Sequence, residues 1–466
     1  MQNLHRTLPP QVPRIRSFLD SRLMKDNPVR VFEEYRSRYG ATFAFHFGGL
    51  KKVFVTSNPN LARHILKDNF ENYEKSEIEM TRMVHFLGRG LLTSHGKYWH
   101  TQRRLIQQGF HKARLTLMME GMQHIMDESL DKMEGRLNSD YIAVHQWMNQ
   151  LTFRMVMKSL FSTRLREQEL DSISDTISKV QEFLVRQIVQ PYLNPWFRIS
   201  GTLRKYDNLR YSCDRIIYEY IKNRRGEENQ YNDLLQILMD ARYSDTGEGM
   251  TDPQILAESI QLMVAGHETT STALSWILYL LCKHPETVTK IRDEIQREIG
   301  ESPLRFADIP RLEYTTQVID EALRMYPPFW MVDRVALQDD RAEGIDIPKG
   351  TTVITFIYGV HHSAGYWENP EEFNPDRFSA ENRKKQHPFA HIPFGAGPKG
   401  CIGGNYAMMQ MLLILVNLVR KFDFELEPGN EVVIQPMLIL RPGSGLRVRF
   451  PRLTQSSSPQ YQGITS

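Results

Sequence analysis

Three groups of residues in this chain have types and spacings that could do chemistry. The first is Phe394-Gly395-Ala396-Gly397-Pro398-Lys399-Gly400-Cys401-Ile402-Gly403, which sets four glycines and a proline around one cysteine. That much glycine lets something flat approach the backbone closely. Cys401 stands beside Lys399, where this loop enters the amphipathic run from Asn405 to Phe422. Amides at a helix N-terminus and a nearby cation both favour a thiolate, and a thiolate is a metal ligand. The competing reading is a buried structural thiol. A phosphate loop is excluded: it needs Gly-Lys followed by Ser or Thr, and here Lys399 is followed by Gly400 and Cys401 with no hydrophobic strand leading in.

The second group, Ala265-Gly266-His267-Glu268-Thr269-Thr270, interrupts an apolar helical stretch with small and polar residues. Ala265 and Thr269 share one helix face. A mid-helix glycine costs roughly 1 kcal/mol relative to alanine, so Gly266 marks a kink or a neighbour too close for a side chain. The Thr269 hydroxyl and the Glu268 carboxylate could relay protons. The alternative is a core threonine bonded back to the preceding turn. Zinc binding by His267-Glu268 fails, because the second histidine it needs four residues on is Ser271.

The third group is two short-range pairs. Glu321 and Arg324 lie three apart among the apolar residues Val318, Ile319, Leu323 and Met325, so this ion pair is expected to be partly buried. Trp99 and Arg103, one turn apart, combine an indole N–H with a guanidinium fork suited to a carboxylate.

Helices must position most of these groups. Apolar residues recur at spacings of three and four from Arg63 to about Thr251. Asp252-Pro253 then opens a helix running to His284, roughly thirty residues or about 45 Å. Pro285 starts another, ended by Gly300, and Asp308 to Tyr326 predicts a third, stopped by Pro327-Pro328. Strands are expected at Thr42–Phe47 and Val53–Val55 as a hairpin turned at Gly48-Gly49. Further strands are expected over Ile345–Tyr358, turned at Pro348-Lys349-Gly350, and over Glu431–Phe450, broken at Pro442-Gly443. Asn58-Pro59 reads as a helix start. The fold class is therefore mainly α with small β regions, in a single domain. Residues 1–27 read as an N-terminal extension, 28–453 as the body, and the serine- and glutamine-rich 454–466 as a disordered tail.

With 466 residues, 41% hydrophobic and 24% charged, the chain can bury a sizeable core and is neither fibrous nor disordered. Its net charge of +3, from 58 basic and 55 acidic residues, argues against a general nucleic-acid binder. Three widely spaced cysteines, Cys213, Cys282 and Cys401, do not make a disulfide framework, so a reducing compartment is expected. The first twenty residues carry Arg6, Arg14 and Arg16 but no apolar run fit for a signal peptide or a membrane span. The expectation is a cytoplasmic monomer.

Taken jointly, these residues resemble the cytochrome P450 family of haem-thiolate monooxygenases, in its soluble, bacterial-type form, over nearly the whole chain from Pro28 to Phe450. The resemblance implies one long helix over a haem b, with Cys401 as axial iron ligand and the only metal ligand from the protein. Phe394 and Ala265 would contact the haem, and Trp99, Arg103, Arg334 and Lys399 would hold its propionates. The family usually has arginine at the position of Lys399, and lysine lacks arginine's planar fork. Glu321, Arg324 and Arg377 look like the family's buried network, with Arg377 in Asn374-Pro375-Asp376-Arg377-Phe378. Thr269 and Glu268 would deliver protons during oxygen activation.

The implied reaction inserts one atom of O2 into a hydrophobic substrate such as a fatty acid, terpenoid or steroid. Electrons would come from a ferredoxin or flavodoxin-type donor with an NAD(P)H reductase, docking near Lys399, Arg104 and Lys112. Phe329-Trp330-Met331, the segment before Ala265, and Met437 to Leu440 are the expected pocket walls. Two alternatives stay open. One is a peroxide-driven hydroxylase, which prefers a basic residue where Glu268-Thr269 stand. The other is a haem-binding sensor or carrier without turnover.

Overall fold

The computed structural model describes residues 7–453 apart from 48–50, 77–78, 163–165, 228–230, 244, 430 and 444. The turn at Gly48-Gly49 and the tail 454–466 therefore lie outside the described residues. Helices make the body, and the Asp252–Lys283 helix runs through it. A capping box opens this helix, with the Thr251 amide donating to Gln254 Oε1 at 2.8 Å, and Pro253 follows where no amide is needed. His284 and Pro285 end it and start the Pro285–Glu298 helix. The Val144–Phe161 helix packs alongside it. A Cβ on Gly266 would come within 3.2 Å of Val156, so the glycine marks this close approach. Trp276 anchors the far end, stacked on Tyr326 at 4.0 Å with its indole N–H donating to the Leu440 carbonyl at 2.7 Å.

A five-stranded sheet stands to one side in the order Thr42–Phe47, Lys51–Thr56, Thr352–Thr355, Val332–Ala336, Tyr73–Glu74. The first two strands form the antiparallel hairpin expected from their alternation, with Phe45 opposite Val53. The Lys51–Thr56 strand then pairs in parallel with Thr352–Thr355, Val53 opposite Thr352. Residues before the first helices are packed here as well: Val12 is buried, and its amide donates to the Ala44 carbonyl at 2.8 Å. Asn58 caps the following Pro59–Arg63 helix by accepting from the amides of Asn60 and Leu61.

Two expected elements differ. The helix over Asp308–Tyr326 is divided into a 3-10 turn, Phe306–Arg311, and an α-helix, Glu313–Met325, because Pro310 has no amide to donate and obstructs the preceding turn. The buried Glu294 carboxylate of the neighbouring helix caps the new start, accepting from the amides of Tyr314 at 2.6 Å and Thr315 at 2.8 Å. The strand pattern over Ile345–Tyr358 holds for Ile345–Ile347 and Thr352–Thr355. Beyond these the chain coils into the short helix Ile357–His361, which opens on the buried, β-branched Ile357 and continues the apolar run of the strand before it.

Candidate active site

The cysteine loop is shaped by backbone bonds that only its glycines allow. The Cys401 amide donates to the Phe394 carbonyl at 2.8 Å, and the Gly400 amide to Gly397 at 3.0 Å. Gly395 and Gly397 adopt φ of +67° and +68°. A Cβ on Gly397 would lie 1.9 Å from the Leu66 carbonyl oxygen, so this residue admits no side chain. Cys401 is exposed, yet surrounding protein pushes its thiol up from the ordinary value. Two groups pull the other way: the Gly403 amide bonds the sulfur, and the Arg103 guanidinium lies near it. Cys213 and Cys282, by contrast, are pushed up to about 12, mainly by burial, and are inert thiols. Among the described residues no three His, Cys, Asp or Glu side chains converge to hold a metal.

Cations gather beside the loop. Trp99 is buried, and Arg103 lies over its ring at 5.7 Å while donating from Nη1 to the Gly400 carbonyl at 2.7 Å. Lys399 reaches the same indole at 6.0 Å and donates to the Tyr73 carbonyl at 2.9 Å. Its amine is turned inward, so of the three residues expected to dock a partner only Arg104 and Lys112 are exposed. Arg334, on the Val332–Ala336 strand, is buried and donates to the Asp333 carbonyl at 2.6 Å.

On the long helix, Ala265 is exposed between buried Met263 and His267, and Leu262 and Thr269 are half-buried on the same face. These positions form an accessible stripe along an otherwise buried rod. The Thr269 hydroxyl donates to the Ala265 carbonyl at 2.8 Å, which leaves its oxygen lone pairs as acceptors on this stripe. Glu268 lies off the stripe, buried and ion-paired with Arg441 on the Leu440–Pro442 strand. Arg441 is a partner that spacing could not reveal, since it lies far along the chain.

Glu321 and Arg324 are fully buried, bonded at 2.6 and 2.9 Å. Arg377 Nε donates to Glu321 Oε1 at 3.3 Å and the Asn374 amide to the same oxygen at 2.9 Å, so the three-residue network is complete. Two residues of the expected pocket walls, Trp330 and Leu440, need correction. Trp330 packs against Phe32 and Phe356 in the core beside the sheet, with its N–H on the Met437 carbonyl, and Leu440 is buried in the same cluster. Phe329 is exposed. Of the second segment, Leu438 instead joins an aromatic cluster of Phe86, Phe183, Phe197 and Tyr206.

The sequence profile of the cytochrome P450 family matches residues 7–450, and the chain belongs to this family of haem-iron monooxygenases. A cyclooctat-9-en-7-ol 5-monooxygenase of Streptomyces melanosporofaciens is 30% identical over 384 residues, covering 82% of each chain. A human ultra-long-chain fatty acid omega-hydroxylase is 30% identical over 436 residues, 87% of this chain and 80% of the relative. The crystal structure of the cytochrome P450DA haem domain superposes with a TM-score of 0.87 at 25% identity, covering 96% of this chain and 98% of that one. The family's haem fits the residues present: an accessible sulfur with thiolate-favouring partners, glycines that clear the backbone around it, and cations within reach of anionic substituents. No helix among the described residues is long and apolar enough to cross a membrane.

Proposed function

We propose that this monooxygenase holds haem b through Cys401 and hydroxylates a sizeable apolar molecule of the fatty acid, terpenoid or steroid kind. The accessible Cys401 sulfur, with the Gly403 amide and Arg103 beside it, is the observation that carries the reading. When bound, a thiolate-ligated haem supplies reductive O2 activation and transfer of one oxygen atom to the substrate. The protein's own part is positional. Arg103, Lys399 and Arg334 would neutralise the carboxylates of the bound group, with Trp99 behind them, and Ala265, with its small side chain, would leave room for it. Thr269 would accept and hold a proton donor at the stripe, and Glu268, ion-paired with Arg441, would exchange protons with it through water. The aromatic cluster at Leu438 and the apolar residue Leu262 favour a substrate without charge, as do the terpenoid and fatty-acid relatives.

A soluble ferredoxin or flavodoxin-type donor with an NAD(P)H reductase supplies the electrons at the face carrying Arg104 and Lys112, and the enzyme works as a cytoplasmic monomer. The test is the absorption spectrum of reduced, carbon-monoxide-bound protein for the unmodified chain and Cys401→His, with NAD(P)H consumption in a ferredoxin system. The thiolate band and turnover should vanish together in the variant. Unchanged turnover in Cys401→His would overturn the ligand assignment, and a thiolate band with no reductant-dependent turnover on any apolar substrate would favour a carrier.

A further inference from the structure

One fully buried titratable side chain, His361, connects two parts of the site without a role so far. It ends the Ile357–His361 helix and is 0% exposed. Its ring makes two directional bonds: Nδ1 lies 3.2 Å from the Arg324 carbonyl oxygen, and Nε2 lies 2.9 Å from the Ile392 backbone nitrogen. The second bond fixes the tautomer. The Ile392 N–H can only donate, so Nε2 carries no proton and Nδ1–H donates to Arg324. Burial, with His391, His362 and Arg324 close by, holds the ring far on the neutral side. Arg324 answers in kind, its Nη1 donating to the His361 carbonyl at 3.0 Å. The other end of the connection is the base of the cysteine loop. The Ile392 carbonyl accepts from the Gly395 amide at 3.0 Å, and the next bond, from Cys401 to Phe394, closes the loop.

We propose that His361 is a positioning residue for Cys401: its neutral imidazole bridges the Arg324 carbonyl and the Ile392 amide, and thereby transmits the rigidity of the Glu321–Arg324 network to the loop that presents the sulfur. The inference rests on Cys401 being the haem ligand. Phenylalanine would fill the same space but leave a buried carbonyl and a buried amide without partners. Glutamine carries a donor and an acceptor side by side at its tip and can replace both bonds.

The experiment compares haem-loaded unmodified protein, His361→Phe and His361→Gln by the reduced carbon-monoxide spectrum and by amide hydrogen exchange. His361→Phe is expected to lose at least about half of its thiolate band and to exchange the amides of residues 392–401 at least about tenfold faster, the scale of one lost buried hydrogen bond. Exchange in the Glu313–Met325 helix stays as it was, and His361→Gln recovers most of both signals. If His361→Phe yields no soluble protein, His361→Asn takes its place with the same expectation, because its shorter amide spans only one of the two partners. A full thiolate band and unchanged loop exchange in these variants would overturn the proposal, as would exchange rising equally in the loop and the Glu313–Met325 helix. A missing thiolate band in the unmodified protein would overturn the assignment of Cys401 instead.

Discussion

At Thr269 two roles meet in one hydroxyl. Its proton is donated to the Ala265 carbonyl, as a core threonine's would be, while its oxygen sits on the accessible stripe. The second role predicts that Thr269→Ala keeps consuming reduced cofactor while product per cofactor falls on the order of tenfold and hydrogen peroxide rises to match. Thr269→Ser should restore the ratio. Equal ratios in all three proteins would leave only the structural role. Residues of this kind were legible in the sequence where their partners are close in the chain. The glycines around Cys401, the turn-spaced Glu321 and Arg324, and the small residues at Ala265 and Gly266 all leave a local pattern. Arg441 and His361 leave none: each acts on a group far away in sequence, and a lone arginine before a proline or the first histidine of a pair looks the same whether buried or solvated.

Among elements, the Glu313–Met325 helix and the cysteine loop make the sharpest demands. Glu321 is fully buried against two guanidinium groups, so Glu321→Ala should cost roughly 3–5 kcal/mol by leaving charge unpaired. Denaturant unfolding measures this, and a change below about 1 kcal/mol would show that the network is expendable. In the loop, Gly395 and Gly397 share a left-handed φ but differ in space. A Cβ on Gly395 meets nothing closer than 3.8 Å, whereas on Gly397 it overlaps the Leu66 carbonyl. Gly395→Ala should therefore cost about 1–2 kcal/mol, while Gly397→Ala costs more and loses haem, read as haem per chain after purification. The helices and strands were legible from apolar spacing and from prolines. The divided helix at Pro310 and the coil at Ile357 were not, since a proline can sit in a first turn or break one, and a β-branched run buried on all sides fits strand or helix equally.

For the molecule as a whole, pH acts through carboxyls buried without enough compensation. Burial pushes Glu258 on the long helix up to about 7 from the ordinary 4.5, although the Leu91 amide and Lys75 pull it down. The neutral carboxyl thus stabilises the fold fully below about pH 4.5, and that contribution is lost as pH rises through about 7. Glu258→Gln, neutral throughout, should flatten this part of the stability curve and exceed the unmodified protein at about pH 8 by on the order of 3 kcal/mol, with no gain at about pH 4. Equal pH profiles in urea unfolding would contradict it. The parallel pairing of Lys51–Thr56 with Thr352–Thr355 has a consequence for synthesis. Val53 leaves the ribosome long before Thr352, its partner roughly three hundred positions later, at about 5–20 residues per second. For that interval the early hairpin carries an open edge that invites pairing with other chains. The sheet can close only after the helical body exists to bring its last strands alongside, so slower translation lengthens the exposure and chaperone capture of nascent chains should fall once Thr355 has emerged.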